Sequence, residues 1–270
     1  MSPHPPKSHG LIPKATCAGL RGVLCDIDDT LTWEGQLVPE AFTALHALRQ
    51  SGLRIVPVTG RPGGWVDQIA RLWPVDGVVG ENGGLWFWRD TDTKQLVRRF
   101  AQSEQERASN RIALSKLEMK IRAAIPDAGI ASDQPYRDLD LAVDFCEDIH
   151  PPLNDDAIDD IVRLFLEAGA TCKVSSIHVN GWFGSFDKLS GCRSFVQERW
   201  GEDIEHDEAA WIYVGDSAND EPMFKHFQHS VGVANVEAFL PRMSSWPTYV
   251  TSKPGGHGFA QLAKHILANR

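Results

Sequence analysis

The sequence predicts an α/β fold: a doubly wound, Rossmann-like parallel sheet interrupted by a smaller α+β domain. Three observations predict it. Strand and helix patterns alternate near both ends of the 270 residues, the alternation lapses in the middle, and reactive polar residues follow one strand end after another.

The first regular stretch begins near Leu20, where GVLCDI is a short apolar run of strand composition. PEAFTALHALRQSG then carries apolar residues at helical spacing and closes on Gly52. LRIVPVTG repeats the strand signal, RPGGWVDQIARLW is a second helix, and VDGVVGENGG is a third strand ending in glycines. The same grammar returns late in the chain. FDKLSGCRSFVQERWG reads as a helix, AAWIYVGDSAND as a strand running into a loop, and EPMFKHF as a short helix. SVGVAN is a further strand, and HGFAQLAKHILANR a closing helix.

Between these blocks come LWFWRD and QLVRRF as strands, then the long helical stretch SEQERASNRIALSKLEMKIRAAI. A strand pair follows near GIASD and LDLAVDFC, then the helix NDDAIDDIVRLFLEAG and strands at TCKVSSIHV and GWFGSF. Two helices among several strands make an inserted domain rather than a continued βα alternation. Residues 1–18 are expected to be a loose leader, 19–82 and 187–270 the core, and 83–186 the insert. The alternating Trp86 and Trp88 are assigned to packing. The glycines of GENGG, Gly80 to Gly84, suggest a hinge.

Composition sets the class. With 42% hydrophobic and 23% charged residues the chain has the makeup of a soluble globular protein. A formal net charge of -9 and the lack of any Lys/Arg block exclude a general nucleic-acid binder. No apolar run is long enough to cross a bilayer or to serve as a signal peptide, so no membrane partner is expected. The five scattered cysteines form no CxxC pair, which fits a reducing, cytoplasmic setting. Nothing in the sequence fixes an oligomeric state.

In an open α/β sheet, ligands gather at the carboxyl ends of the strands. Those ends carry Asp26, Asp28 and Thr30, then Thr59 and Gly60, then Glu81 and Asn82, and late in the chain Asp216, Asn219 and Asp220. Lys188 opens the helix before that last strand. Three aspartates within Asp26–Asp29, directly after an apolar strand, demand compensation, because a buried unpaired carboxylate is costly. A divalent cation supplies it. Mg2+ prefers one or two carboxylates with water and phosphate oxygens, and Asp26 and Asp216 are the side chains placed on it. One carboxylate then attacks phosphorus, and Asp28, two residues on and on the same side of an extended segment, serves the leaving alcohol as acid and then water as base. A threonine hydroxyl, the Gly60 N–H and the Lys188 ammonium would hold the remaining phosphate oxygens.

DIDDT (Asp26 to Thr30) resembles the DxDx[TV] motif of the haloacid dehalogenase superfamily, VTGR (Val58 to Arg61) its second motif, FDK (Phe186 to Lys188) its third and GDSAND (Gly215 to Asp220) its fourth. The motifs stand in the family's order and span about Val23 to Asp220. The resemblance implies a cap of the C2B type between the second and third motifs. Such a cap is shared by sucrose-phosphate, mannosylglycerate-phosphate and trehalose-phosphate phosphatases and by phosphomannomutases. It further implies Asp26 as nucleophile, Asp28 as acid/base, and Thr59 and Lys188 as phosphate ligands. Asp216, the Asp28 carbonyl and Asp220 would lie in or near the metal shell, and Asn219 would orient phosphate or Lys188. Asp29 has no implied role. In the cap, His178 and Asn180 are candidates for sugar hydroxyls, and Arg137 or Arg122 for a second anionic group.

The expected function is that of a magnesium-dependent phosphatase acting on a small phosphate monoester, a sugar phosphate first. The alternatives are a phosphosugar mutase using the same aspartates, and a non-catalytic sugar-phosphate-binding regulatory protein.

Overall fold

The structure is a computed structural model and describes residues 8–9 and 11–270. Its main sheet has six strands, all parallel, in the order Ser8–His9, Tyr249–Val250, Ser230–Gly232, Trp211–Gly215, Gly22–Cys25, Arg54–Pro57. A parallel bridge from Val58 to Val79 continues it to the strand Val78–Gly80. From Gly22–Cys25 the chain winds outward in one direction. Trp211–Gly215 comes back to the other side of that first strand and winds away in the opposite direction. The sheet therefore reverses its winding between these two strands, and their register, Val214 against Cys25, brings Asp26 and Asp216 to one edge.

Alternation along the strands builds two cores. Val23, Cys25, Ile212 and Val214 face one side, where Pro39–Gln50 and Gly255–Ala268 pack on them. Leu24, Val56, Trp211 and Tyr213 face the other side, covered by Lys188–Trp200 and Glu221–His226. At Gly22 any Cβ would overlap the Trp211 ring, so a bare backbone is what lets the ring cross beneath the first strand.

The inserted block forms a four-stranded sheet ordered Thr171–Val174, His178–Trp182, Asp140–Asp144, Gly129–Ile130, with antiparallel neighbours. Leu141, Val143 and Val179 face the helices Glu104–Ala124 and Asp155–Glu167 and make a third core with them. Asp140, Asp144, His178, Asn180 and Trp182 take the alternate positions, yet all are buried. A half-polar strand hidden on both faces needs a second surface above it. That surface is the carboxyl edge of the main sheet, reached through Arg137 Nη1 on the Gly60 carbonyl at 2.8 Å.

Three expectations differ from what the structure shows. Within the expected leader, residues 1–7 and 10 lie outside the described residues. Lys14–Gly19 is a helix, and Ile12 and Cys17 join the main core, because the turn after Pro13 is amphipathic enough to dock. At the other junction, Leu85–Arg89 and Leu96–Phe100 extend from Val78–Gly80 as an antiparallel meander. Leu85 and Phe87 enter one core and Trp86 and Trp88 the other, so packing joins residues 83–100 to the main sheet, and the tryptophans pack as expected. The GENGG glycines accordingly do not form a free hinge. Gly83 lies so tightly against the Asp187 carbonyl and Gly191 that no Cβ fits. Finally, TCKVSSIHV is not one strand. Ser175 Oγ accepts the N–H groups of Ile177 and His178 and turns the chain there.

All five cysteines are free. No helix among the described residues is long and apolar enough to cross a membrane.

Candidate active site

The site grows from the sheet reversal. Asp26 follows Gly22–Cys25 with its N–H on the Val214 carbonyl at 2.8 Å, and Asp216 follows Trp211–Gly215. Lys188, first residue of its helix, is 2% exposed and donates to Asp26 Oδ1 at 2.7 Å and to Asp220 Oδ1 at 2.6 Å. Asp26, Asp216 and Asp220 each offer a carboxylate oxygen, and the three lie within 4.8 Å of one another.

The three carboxylates are not equivalent. Asp220 is saturated by protein: Lys188 and the Tyr213 hydroxyl donate to Oδ1, and the Asp216 and Ser217 N–H groups to Oδ2. The Asp220 side chain therefore holds Lys188 and shapes the loop beside the other two carboxylates. Asp216 is the opposite case. Among the described residues it receives only two long hydrogen bonds, from Thr30 Oγ1 at 3.3 Å and Asn235 Nδ2 at 3.4 Å, and no cationic side chain pairs with it. Burial, followed by the charges of Asp26 and Asp220, pushes its carboxyl well above the usual range. Burial likewise raises Asp26, to about 8, against the pull of Lys188. Three buried carboxylates share one ammonium, and the poorly satisfied oxygens are those of Asp216. That donor set fits a hard divalent cation. Lys188 does not fill the gap, since it bridges Asp26 to Asp220 and leaves Asp216 alone.

Asp28 is held by Arg61, whose Nε and Nη2 reach the carboxylate at 2.8–3.1 Å. The same guanidinium spans to the insert, bonding Glu147 at 2.6 and 3.3 Å and Asp133 at 3.4 Å, and lies over the Trp65 ring. Glu147 Oε2 is also 2.9 Å from His178 Nε2. Burial acts to raise Glu147, but His178 and Arg61 outweigh it and bring the carboxyl down to about 2.

Asp26, Asp28, Gly60 and Asn219 line one cavity with His178 and Asn180 of the insert, alongside Arg61, Ser217 and the Ser175–Ile177 turn. Ser217 Oγ donates to Asn219 Oδ1 at 3.0 Å, leaving the Asn219 amide nitrogen for a ligand. Thr59 is fully buried just behind, its hydroxyl oxygen accepting the Arg61 N–H at 3.0 Å. Arg137 is elsewhere. Its guanidinium is tied to Asp133, Asp140 and the Gly60 carbonyl, so it clamps the two sheets and is not free for an anionic group. Arg122 is on the surface with Glu118.

Sequence reasoning quoted Arg61 within VTGR without giving it a task, and missed Asn235, Tyr213, Ser217, Asp133 and Glu147. Asn235 ends the strand run SVGVAN, so the sheet-edge rule alone points to it. Asp133 and Glu147 carry no local signal, because only the docking of the two sheets brings them to Arg61.

The cavity measures only about 10 Å3, room for about one water. The insert covers this edge of the main sheet and leaves no more space than that.

In fold the chain is similar to solved phosphatases of the haloacid dehalogenase superfamily. Residues 23–122 match the family described as haloacid dehalogenase-like hydrolase. Solved structures agree in fold. A Thermoplasma acidophilum protein superposes with a TM-score of 0.68 at 17% identity, over 92% of this chain and 98% of its own. Sucrose-phosphatase from Synechocystis sp., solved with sucrose and phosphate, gives 0.63 at 14% identity, over 91% and 97%. A sugar phosphatase of subclass IIB gives 0.61 at 14% identity, over 91% and 98%. No curated protein matches by sequence.

Proposed function

We propose that this chain is a magnesium-dependent phosphatase that hydrolyses a small phosphate monoester, a sugar phosphate first among the classes. The observation that carries the reading is the buried pair Asp26 and Asp216 at the sheet reversal, with Lys188 on Asp26 and, among the described residues, no cationic side chain on Asp216. The sugar-phosphatase relatives of the same fold support the substrate class.

Asp26, the Asp28 carbonyl and Asp216 would hold the ion. Magnesium so bound supplies positive charge to the phosphoryl oxygens and lets carboxylates approach an anionic substrate. The protein does the rest. Lys188, the Gly60 N–H, the Thr59 hydroxyl and the Asn219 amide hold the phosphate oxygens. An Asp26 oxygen attacks phosphorus, the ester P–O bond breaks, and the leaving oxygen takes a proton from Asp28. In the second half Asp28, now a carboxylate, takes a proton from water as that water attacks the aspartyl phosphate, releasing phosphate and restoring Asp26. Arg61 orients the Asp28 side chain through its Nε and Nη2.

The test is phosphate release from phosphosugars, glycolate phosphate and nucleotides, with magnesium or with excess chelator. Release with magnesium, none with chelator, and a loss of at least ~1000-fold in Asp26→Asn are expected. Undiminished turnover in Asp26→Asn overturns the reading. Dependence on a sugar bisphosphate, with phosphate retained on the sugar, marks a mutase instead.

A further inference from the structure

A second concentration of charge lies away from the candidate active site. A cleft of about 280 Å3 is bordered by five cations, Arg49, Arg71, Arg89, Lys94 and Arg199, and by two carboxylates, Asp76 and Asp90. In a chain of net charge -9 this local surplus runs against the trend. Arg49, Arg71 and Arg199 stand in the last turns of Pro39–Gln50, Gly63–Leu72 and Lys188–Trp200. Arg89 ends the strand Leu85–Arg89, and Lys94 lies in the turn before Leu96–Phe100. The helix that carries Arg199 begins at Lys188, which puts the Arg199 backbone about 16 Å along the axis from Lys188.

Basic residues in a last helical turn complement the free carbonyls there, and that accounts for Arg49 and Arg71. Arg71 also pairs with Asp67 at 2.6 Å, and Arg49 stands 3.6 Å from Asp76. It does not account for Arg89 and Lys94, which come from a hairpin, nor for Arg199 Nε, which is buried without an acceptor. The two carboxylates are taken up by backbone. Asp76 Oδ2 accepts the Ile55 N–H at 2.8 Å, and Asp90 Oδ1 accepts the N–H groups of Asp92 and Thr93 at 3.1 and 2.8 Å. Arg199 acts on Asp90 through space without forming an ion pair. Arg89 reaches only the Lys94 carbonyl, at 3.4 Å. Among the described residues, then, Arg89, Lys94 and Arg199 converge on one cleft with no anionic partner.

We propose that this cleft binds a compact polyphosphate, free or as the phosphate chain of a nucleotide, at a site separate from the candidate active site. Guanidinium forks match phosphate oxygens two at a time. Three uncommitted cations on different elements call for a ligand with several anionic groups, since a single phosphate or carboxylate would leave part of the surplus unmatched. The acidic balance of the rest of the surface disfavours a long nucleic acid. Trp73 borders the same cleft, so a nucleotide base would have a ring to lie on. The assignment is independent of the phosphatase reading, because none of its residues belongs to the proposed catalytic set.

Isothermal titration calorimetry on the full chain, at low ionic strength with excess chelator, tests it with tripolyphosphate, ATP and orthophosphate. Tripolyphosphate is expected to bind at least ~10-fold more tightly than orthophosphate, and the double variant Arg89→Gln/Arg199→Gln to lose ~10-fold or more of that affinity. Lys94→Asn, which suits the left-handed φ of +59° at that exposed turn, should weaken binding too and keeps the site testable should the double variant unfold. Equal affinity for ATP and tripolyphosphate assigns recognition to the phosphates alone. Tighter binding of ATP, with the difference removed by Trp73→Leu, adds the base. Absence of binding at millimolar tripolyphosphate overturns the site, as does orthophosphate binding equally well. Undiminished affinity in the folded variants overturns it as well, by locating the polyanion elsewhere on the chain.

Discussion

Individual side chains at this site are defined by what they fail to find as much as by what they touch. Asp220 has two protein donors on each oxygen and Asp216 one long hydrogen bond on each, although the two lie four residues apart in GDSAND. The motif letters give both the same chemistry, and only the hydrogen-bond partners separate a carboxylate bound firmly on both oxygens from one held by two long contacts. Glu147 shows the reverse dependence. Its carboxyl stands at about 2 because Arg61 and His178 overcome the effect of burial, whereas an unfolded glutamate titrates near ~4.3. With the folded value depressed, the ionised side chain stabilises the fold at every pH above the unfolded value, and that contribution is lost as pH falls from about 4 through about 2. The side chain retains 29% exposure, so solvent screening holds the contribution to ~1 kcal/mol. Glu147→Gln should therefore be less stable than wild type by about that amount at pH 7 in urea unfolding, and the gap should close by pH 2–3. A gap of constant size down to pH 2 would show that charge on Glu147 is not its source.

Elements acquire meaning here by what lies across from them. The strand Asp140–Asp144 reads DLAVD, a half-exposed alternation, and becomes fully buried because its acidic face settles on the core. Glu81 makes that seating specific. It ends the run after Val78–Gly80 in a left-handed conformation, and its carboxylate collects the N–H groups of Gly63 in the core and of Asp138, Leu139 and Asp140 in the insert, at 2.6–3.3 Å. A core side chain thus caps the start of an insert strand, beside Arg137 on the Gly60 carbonyl. Removing the carboxyl leaves four buried donors unpaired on both sides of the junction. Glu81→Ala should cost about 3 kcal/mol, and amide exchange should accelerate most across 129–182, with 22–57 less affected. Uniform acceleration would mean that Glu81 supports the core alone.

For the molecule as a whole, the parallel sheet and the motif residues at its edge were legible because both rest on local signals: apolar runs, helical spacing, and acidic residues placed just past strands. The joint between core and insert was not legible. Packing across the Leu85–Phe100 hairpin, the Ser175 turn and the meeting of Arg61 with Asp133 and Glu147 depend on contacts between segments distant in sequence. Core and insert enclose a cavity of only about 10 Å3 at that joint, so the proposed phosphatase activity requires the insert to swing away before substrate binds. The chain passes between the core clusters and the insert cluster near residues 101–103 and 183–186, and there Gln102 Nε2 donates to the Phe183 carbonyl at 2.6 Å, tying the two crossings together. Gly184 sits beside that bond with φ at +126°, and a Cβ on it would meet Gln102 Nε2 at 2.5 Å. Gly184→Ala therefore strains the backbone and expels Gln102 without touching any group at the phosphate site. If motion at these crossings admits substrate and releases product, kcat and KM should shift together by a few-fold. Stopped-flow phosphate release should show product departure slowed more than the chemical step. A change confined to KM would locate the effect in substrate contact, and unchanged kinetics in a folded variant would place the moving joint elsewhere in the chain.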